Sequence, residues 1–183
     1  VYKRQNVQTL QYSLRALEKL NNNFKQVFFI PGNHDLYYRD KRDIHSVEWA
    51  NHLKNITIIN DWFNKGNVVI APWLVGSDWK KLEKMSGKYL FGHFELPYFY
   101  MNAMVEMPDH EELQSEHLAG FETVYSGHFH KRQFRNNVIY VGNAFPHNYA
   151  DAGDDDRGMM ILEWSGVPKF QSWPNQPRFR VYK

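Results

Sequence analysis

Apolar positions run along this chain in two rhythms. Val7, Leu10, Leu14, Leu17 and Leu20 recur at helical spacing with Lys, Arg, Gln and Glu between them, which predicts an amphipathic helix. Asn21, Asn22 and Asn23 follow; Asn tolerates the left-handed conformation that ends helices, so this run is expected to stop it. Residues 26–30 (QVFFI) then read as a buried strand, broken by Pro31 and Gly32. A helix leading directly into a strand is the second half of a parallel crossover unit, whose first strand is expected upstream of Val1.

The same reading predicts a helix at about 44–53, strands at 56–59 and 68–71, a short helix at 79–85 and a strand at 89–91. Residues 94–107 are rich in aromatics and Met without a period, and no element is assigned there. A helix is expected over 109–118, capped by Asp109, and then strands at 123–125, 138–141, 159–164 and 169–173. Strands and helices alternate first and strands dominate later. That order predicts a single α/β domain over 1–183, layered around mixed sheets flanked by helices, with about 174–183 peripheral.

Composition narrows the function classes. The 183 residues are 43% apolar and 23% charged, ordinary globular usage that excludes disordered and fibrous architectures. Lys and Arg total 22 against 20 Asp and Glu, too even a balance for nucleic-acid binding by bulk charge, so any such contact requires a local patch. No apolar run approaches the roughly 18 residues of a membrane span. No leader opens the sequence, which fits a cytoplasmic setting. Cysteine is absent, excluding disulfides and thiolate metal sites, while His numbers 9.

Where those histidines fall carries the chemistry. Phe28-Phe29-Ile30-Pro31-Gly32-Asn33-His34-Asp35, Tyr89-Leu90-Phe91-Gly92-His93 and Val124-Tyr125-Ser126-Gly127-His128-Phe129-His130 share one format. Each is a hydrophobic strand, a small residue and then a ligand-type side chain, and open α/β sheets gather their chemistry at such strand ends. Imidazoles with a side-chain amide make an N/O donor set that suits Mn, Fe or Zn better than Ca. His128 and His130 are two apart, and a turn between them can aim them at different ions. His45, His52, His110, His117 and His147 read as ordinary core or surface residues.

These elements resemble motifs of the calcineurin-like metallophosphoesterases, in the family's order: Gly-Asn-His-Asp at 32–35, Gly-His at 92–93 and Gly-His-x-His at 127–130. Pro72-Trp73, Gly92-His93-Phe94-Glu95-Leu96, Tyr140-Val141-Gly142-Asn143 and Gly153-Asp154…Arg157-Gly158 are similar to the nuclease branch, the phage recombination endonuclease subunits and SbcCD-type repair nucleases. The resemblance implies a layered metallophosphoesterase sandwich and two bridged divalent ions, Mn first, with Fe or Zn as alternatives. It implies Asn33, His93 and His128 as ligands of one ion and His130 as a ligand of the other. His34 would stabilise the transition state or protonate the leaving oxygen, oriented by Asp35. DNA and an SbcC-type ATPase subunit are the implied partners, and a homodimer through the first two helices is a further expectation.

The family's opening Asp-x-His and Gly-Asp-x-x-Asp elements are not in this sequence. The chain is therefore expected to lack the first strands, with partial or no metal occupancy and weak or no activity of its own. Such an open sheet edge should pair or dimerise. Arg39, Lys41 and Arg42 after one motif, and Lys131, Arg132 and Arg135 after another, are the cations expected to track a DNA backbone. Asp154-Asp155-Asp156 and the tail's Arg178, Arg180 and Lys183 read as solvated loop charge. The rival functions are a small-nucleotide or phosphoprotein phosphoesterase and an inactive interaction module.

Overall fold

Four short parallel strands, flanked on each side by an antiparallel one, carry the site. The computed structural model describes residues 6–164 and 166–181. Strands β3 (Phe63–Lys65), β4 (Val68–Ile70), β5 (Gly87–Gly92), β6 (Phe121–Ser126), β7 (Gln133–Arg135) and β8 (Val138–Tyr140) form one sheet in the order β3-β4-β5-β6-β8-β7. β4, β5, β6 and β8 run parallel, and β3 and β7 close the edges antiparallel. β1 (Val27–Phe29) pairs in parallel with β2 (Ile56–Ile58), and β9 (Gly158–Ile161) pairs antiparallel with β10 (Lys169–Ser172). The fold is the mixed α/β arrangement that the strand and helix order predicts.

Register explains the core. Val69 faces Leu90, Leu90 faces Val124, and Val124 faces Val138, so four branched side chains line up across the sheet, all buried. Phe94, Leu96, Phe99, Leu118, Phe129 and Tyr140 cover that row. On the opposite face the Phe91 and Tyr125 rings stack at 5.3 Å, and Tyr89 meets Trp164 at 5.3 Å. Alternation along each strand separates the two sets.

A second core gathers Leu17, Val47, Ala50, Ile56 and Ile58. Helix α1 (Val7–Asn23) rests on it through Leu17, while Val7 stays 85% exposed. Asn6 caps the helix by accepting the Thr9 amide at 2.7 Å. The asparagine run does not end α1 in a left-handed turn: all three lie inside the helix, and Phe24 leaves it extended at φ −120°. Asn21 instead locks the helix end to the start of β2. Its side chain accepts the Asn55 amide at 2.9 Å, and its carbonyl accepts the Asn55 side chain at 2.8 Å.

Three expected helices are wound more tightly, as 3₁₀ turns, and two of them are also shorter than their patterns. The segment at 44–53 holds only a 3₁₀ turn, Glu48–His52, because His45 is taken by a bridge to Leu36. The segment at 79–85 lies within a 3₁₀ run, Gly76–Lys84, interrupted at Ser77. Over 109–118 only Ser115–Leu118 is helical. Asp109 spends its carboxylate on the Glu111 amide and the Gln114 side chain, and Glu111 adopts φ 58°. Side chain–backbone hydrogen bonds of this kind favour a turn over a helix. β1 is half-exposed rather than fully buried. Among the described residues, no helix is long and apolar enough to cross a membrane.

The position of the core has a direct test. Leu90→Ala is expected to lower stability by about 2–5 kcal/mol, whereas Leu20→Ala, at a site 38% exposed, should change it by about 0.5 kcal/mol or less. Urea denaturation of the two variants compares these losses.

Candidate functional site

β5 and β6 end side by side, with Gly92 and Ser126 in register. Because the strands are parallel, the residues that follow leave the same end of the sheet. The Gly127 amide donates to the Gly92 carbonyl at 3.0 Å, and the Phe94 amide to Ser126 Oγ at 2.9 Å, so the two exits are tied together. The loop after β1 arrives from the other side. A Cβ at Gly32 would lie 2.8 Å from both Cε1 and Nε2 of His93, and one at Gly127 would lie 3.0 Å from its Nδ1. The His93 ring is thus held between glycines of two different motifs; a side chain at Gly32 would force the ring to move, and one at Gly127 would crowd it.

His128 stands at φ 84°, a left-handed conformation that is uncommon for a residue with a side chain. The twist turns its Nδ1 to 3.3 Å from His93 Nε2 and its Nε2 to 3.9 Å from Glu95 Oε1. Trp73, just beyond β4, lies against both rings at 5.6 and 5.7 Å. Burial, with the neighbouring His128 and His34, pushes His93 down to about 3, so its ring is neutral at physiological pH. His128 holds the Glu95 carboxyl below its usual range, against the opposing effect of burial. An ionised Glu95 favours the His128 proton on Nε2, leaving its Nδ1 lone pair toward His93.

Two imidazole nitrogens facing each other need a proton or a cation between them. Two such nitrogens on one tetrahedral ion, each at about 2.0–2.1 Å, lie about 3.3–3.4 Å apart. The separation in this chain, 3.3 Å, fits that arrangement, and Asn33 follows the glycine that touches His93. Among the described residues, no group of three or more His, Asp or Glu side chains converges for a metal. What the structure brings together here is the two imidazoles, with the loop that carries Asn33 beside them.

His130 points elsewhere. Its Nδ1 lies 3.1 and 3.2 Å from the two carboxylate oxygens of Asp151, and its ring meets His147 at 5.0 Å. The left-handed residue between the strand and His130 thus sends the two histidines to separate groups, as their spacing allows. Asp151 is buried; burial raises its carboxyl, but the His147 amide, His130 and Arg157 outweigh that and hold it below the ordinary value. His34 is exposed and close enough to His93 and His147 to bear on the charge of both. Asp35 accepts the Gly32 amide at 2.9 Å and lies 3.5 Å from Ser46 Oγ, so it closes the turn that presents Asn33 and His34.

The cations divide into engaged and exposed. Arg42 pairs with Asp78 and donates to the Trp73 carbonyl at 2.9 Å and the Asn60 carbonyl at 3.2 Å. Arg132 pairs with Asp156 and lies 4.0 Å over Phe170. Arg39 and Arg135 are exposed, as is Lys41, which sits over Tyr38; Lys131 lies 4.7 Å over Tyr100. The acidic triplet is not merely solvated: Asp154 and Asp156 meet arginines, and Asp155 binds Arg178 at 3.1 Å and Arg180 at 2.8 Å. Trp73, Glu95, His147, Asp151 and Arg157 are the site neighbours that sequence reading does not assign. Pro72-Trp73, Phe94-Glu95 and Gly153-Asp154…Arg157-Gly158 were the textual signals among them, whereas His147 and Asp151 had none.

The chain is similar to a phage exonuclease subunit. It is 25% identical over 164 residues to exonuclease subunit 1 of Enterobacteria phage T4, a match that covers 85% of this chain and 47% of that protein. The chain thus spans about half the length of the relative it matches. No family model matches it. The match is a distant relationship to a nuclease subunit.

Arg42 gives a prediction with a pH sign. Burial raises the Asp78 carboxyl, but Arg42 and Lys81 outweigh this and hold it below 3.8. A carboxyl depressed in the folded state stabilises the protein above its unfolded value, and the gain is lost as pH falls through the folded one. Arg42→Ala should therefore cost about 1–3 kcal/mol at pH 7, with the gap to wild type narrowing as the pH drops below 3.8. Denaturant titrations at neutral and acid pH measure it.

Proposed function

We propose that this chain is part of a metal-dependent phosphodiesterase that cleaves DNA, working as one subunit of an exonuclease. The observation that carries the reading is the convergence of three strand-end motifs on the His93–His128 pair, at a nitrogen separation that one divalent ion spans. The distant match to a phage exonuclease subunit supports the same chemistry and a polymeric substrate. The relative's description as a subunit supports a protein partner, for which the family resemblance names an SbcC-type ATPase. The homodimer expectation rests on α1, whose Val7 and Tyr12 remain exposed. The phage origin of that relative supports a setting in the host cytoplasm.

In this proposal Asn33, His93 and His128 hold one divalent ion, Mn first and Fe or Zn as alternatives, and His130 serves a second. Bound divalent ions polarise the phosphate and acidify a water for in-line attack. His34, exposed beside Asn33, would act as the general acid toward a leaving oxygen. Trp73 walls one side of the histidine pair and limits water there. Arg39, Lys41, Lys131 and Arg135 contact the backbone, while Arg42 and Arg132 hold loops through Asp78 and Asp156. Lys131→Glu should weaken DNA binding and flatten its salt dependence by about one counterion in the log–log slope.

A second reading is a chain that binds metal and partner but is weakly active or inactive by itself. The absence of a three-residue His, Asp or Glu cluster among the described residues favours it. End-labelled duplex DNA incubated with the chain and Mn²⁺ separates the two. Chelator-sensitive release of nucleotides, reduced on the order of a hundredfold or more in His128→Ala, supports the nuclease. Mn²⁺ binding without cleavage selects the inactive reading. Cleavage unaffected by His128→Ala contradicts both.

A further inference from the structure

Arg157 is the largest fully buried side chain described, with no exposed surface, and the Asp151 side chain beside it is equally inaccessible. Burying a guanidinium costs several kcal/mol unless each donor is met. Here Nε donates to the Asp154 carbonyl at 3.2 Å, Nη2 to Asp154 Oδ2 at 3.1 Å, and Nη1 to the His130 carbonyl. Nη2 also lies 3.5 Å from Asp151 Oδ1. Asp154 holds one side of the guanidinium, and the remaining contacts lead to His130 and to the carboxylate that faces it. The backbone of His130 is pinned further, its amide donating to Met101 at 2.8 Å and its carbonyl accepting the Asn143 amide at 3.0 Å.

The Asp151 carboxylate accepts the His147 amide at 2.8 Å and faces a guanidinium. An oxygen pair in that setting has only lone pairs to offer, so the proton between it and His130 belongs to the imidazole. We propose that Asp151 is the positioning residue of His130. It fixes the ring as the Nδ1–H tautomer and leaves the Nε2 lone pair as the outward donor, while Arg157 holds Asp151 in place. This assigns a task to Arg157 in the Gly153-Asp154…Arg157-Gly158 stretch: from 27 positions along the chain it holds the Asp151 carboxylate, itself 21 positions from His130, against the histidine ring. Only the identity of what Nε2 meets, a divalent ion, rests on the nuclease reading.

The tautomer can be read without metal or DNA. The full chain, labelled with ¹⁵N-histidine and kept in chelator at pH 8, is examined by long-range ¹H–¹⁵N correlation, with His130 assigned from His130→Gln. Wild type is expected to show the His130 proton on Nδ1. His117 supplies the opposite control, because its Nδ1 accepts the Gln114 amide at 2.8 Å and its proton must sit on Nε2. In Asp151→Ala, His130 should move to the Nε2–H form preferred by free imidazole while His117 stays unchanged, which shows that the fold survives. A wild-type His130 protonated on Nε2 overturns the proposal, and this result stands even if Asp151→Ala does not fold. An unchanged His130 tautomer in folded Asp151→Ala overturns it equally.

Calorimetric titration with Mn²⁺ then tests what Nε2 meets. Affinity should fall about 10- to 100-fold in Asp151→Ala. The tautomer result with unchanged Mn²⁺ affinity would remove the metal from His130 while leaving its positioning by Asp151 intact.

Discussion

The parallel pairing of β5 with β6, flush at Gly92 and Ser126, is the constraint on which the rest of the structure depends. It brings two strand exits to one edge, where the cross-links between residues 92–94 and 126–127 make them a single rigid platform. A slip of one residue would turn Leu90 and Val124 off the core and carry His93 and His128 away with them. The buried row from Val69 to Val138 resists such a slip, so the packing that stabilises the sheet also sets the geometry of the histidine pair. The glycines finish the placement, since a Cβ at Gly32 would displace the His93 ring and one at Gly127 would press on it.

Around this platform charge is used for position as much as for chemistry. Arg157 and Asp151 are fully buried, an arrangement that adds little net stability but fixes geometry by its directional bonds. The tail joins in through Asp155 with Arg178 and Arg180. Arg42 does similar work on the other flank, linking the loop after β1 to the Trp73 carbonyl and Asp78. The walls of the site are thus held from several distant parts of the sequence, while the His93 and His128 rings face each other at 3.3 Å.

Much of the strand framework was legible because buried parallel strands read as continuous apolar runs with glycine at their ends. β3 and β7 were not, being three-residue edge strands such as Phe63-Asn64-Lys65 in which one face meets water. Their turns, at Gly66 and at Asn136 with φ 54°, were the available signal. The short helices were overread because a capping carboxylate such as Asp109 can close a turn instead. The histidine motifs were legible as residues that leave neighbouring strand ends, where the structure sets His93 and His128 side by side. Asp151 and Arg157 were not, since an arginine among three aspartates looks like solvated charge until the fold buries it, and His147 looked ordinary until the fold set it beside His130.

The central claim is that the His93–His128 pair is a preformed donor set for one divalent ion. Anomalous diffraction at the manganese edge, from crystals of the chain soaked in Mn²⁺, tests it most directly. The account predicts a peak between His93 Nε2 and His128 Nδ1, within about 2.0–2.3 Å of each, with the Asn33 side chain turned toward it. A peak confined to surface carboxylates, or the two rings hydrogen-bonded to each other at saturating Mn²⁺, would contradict it.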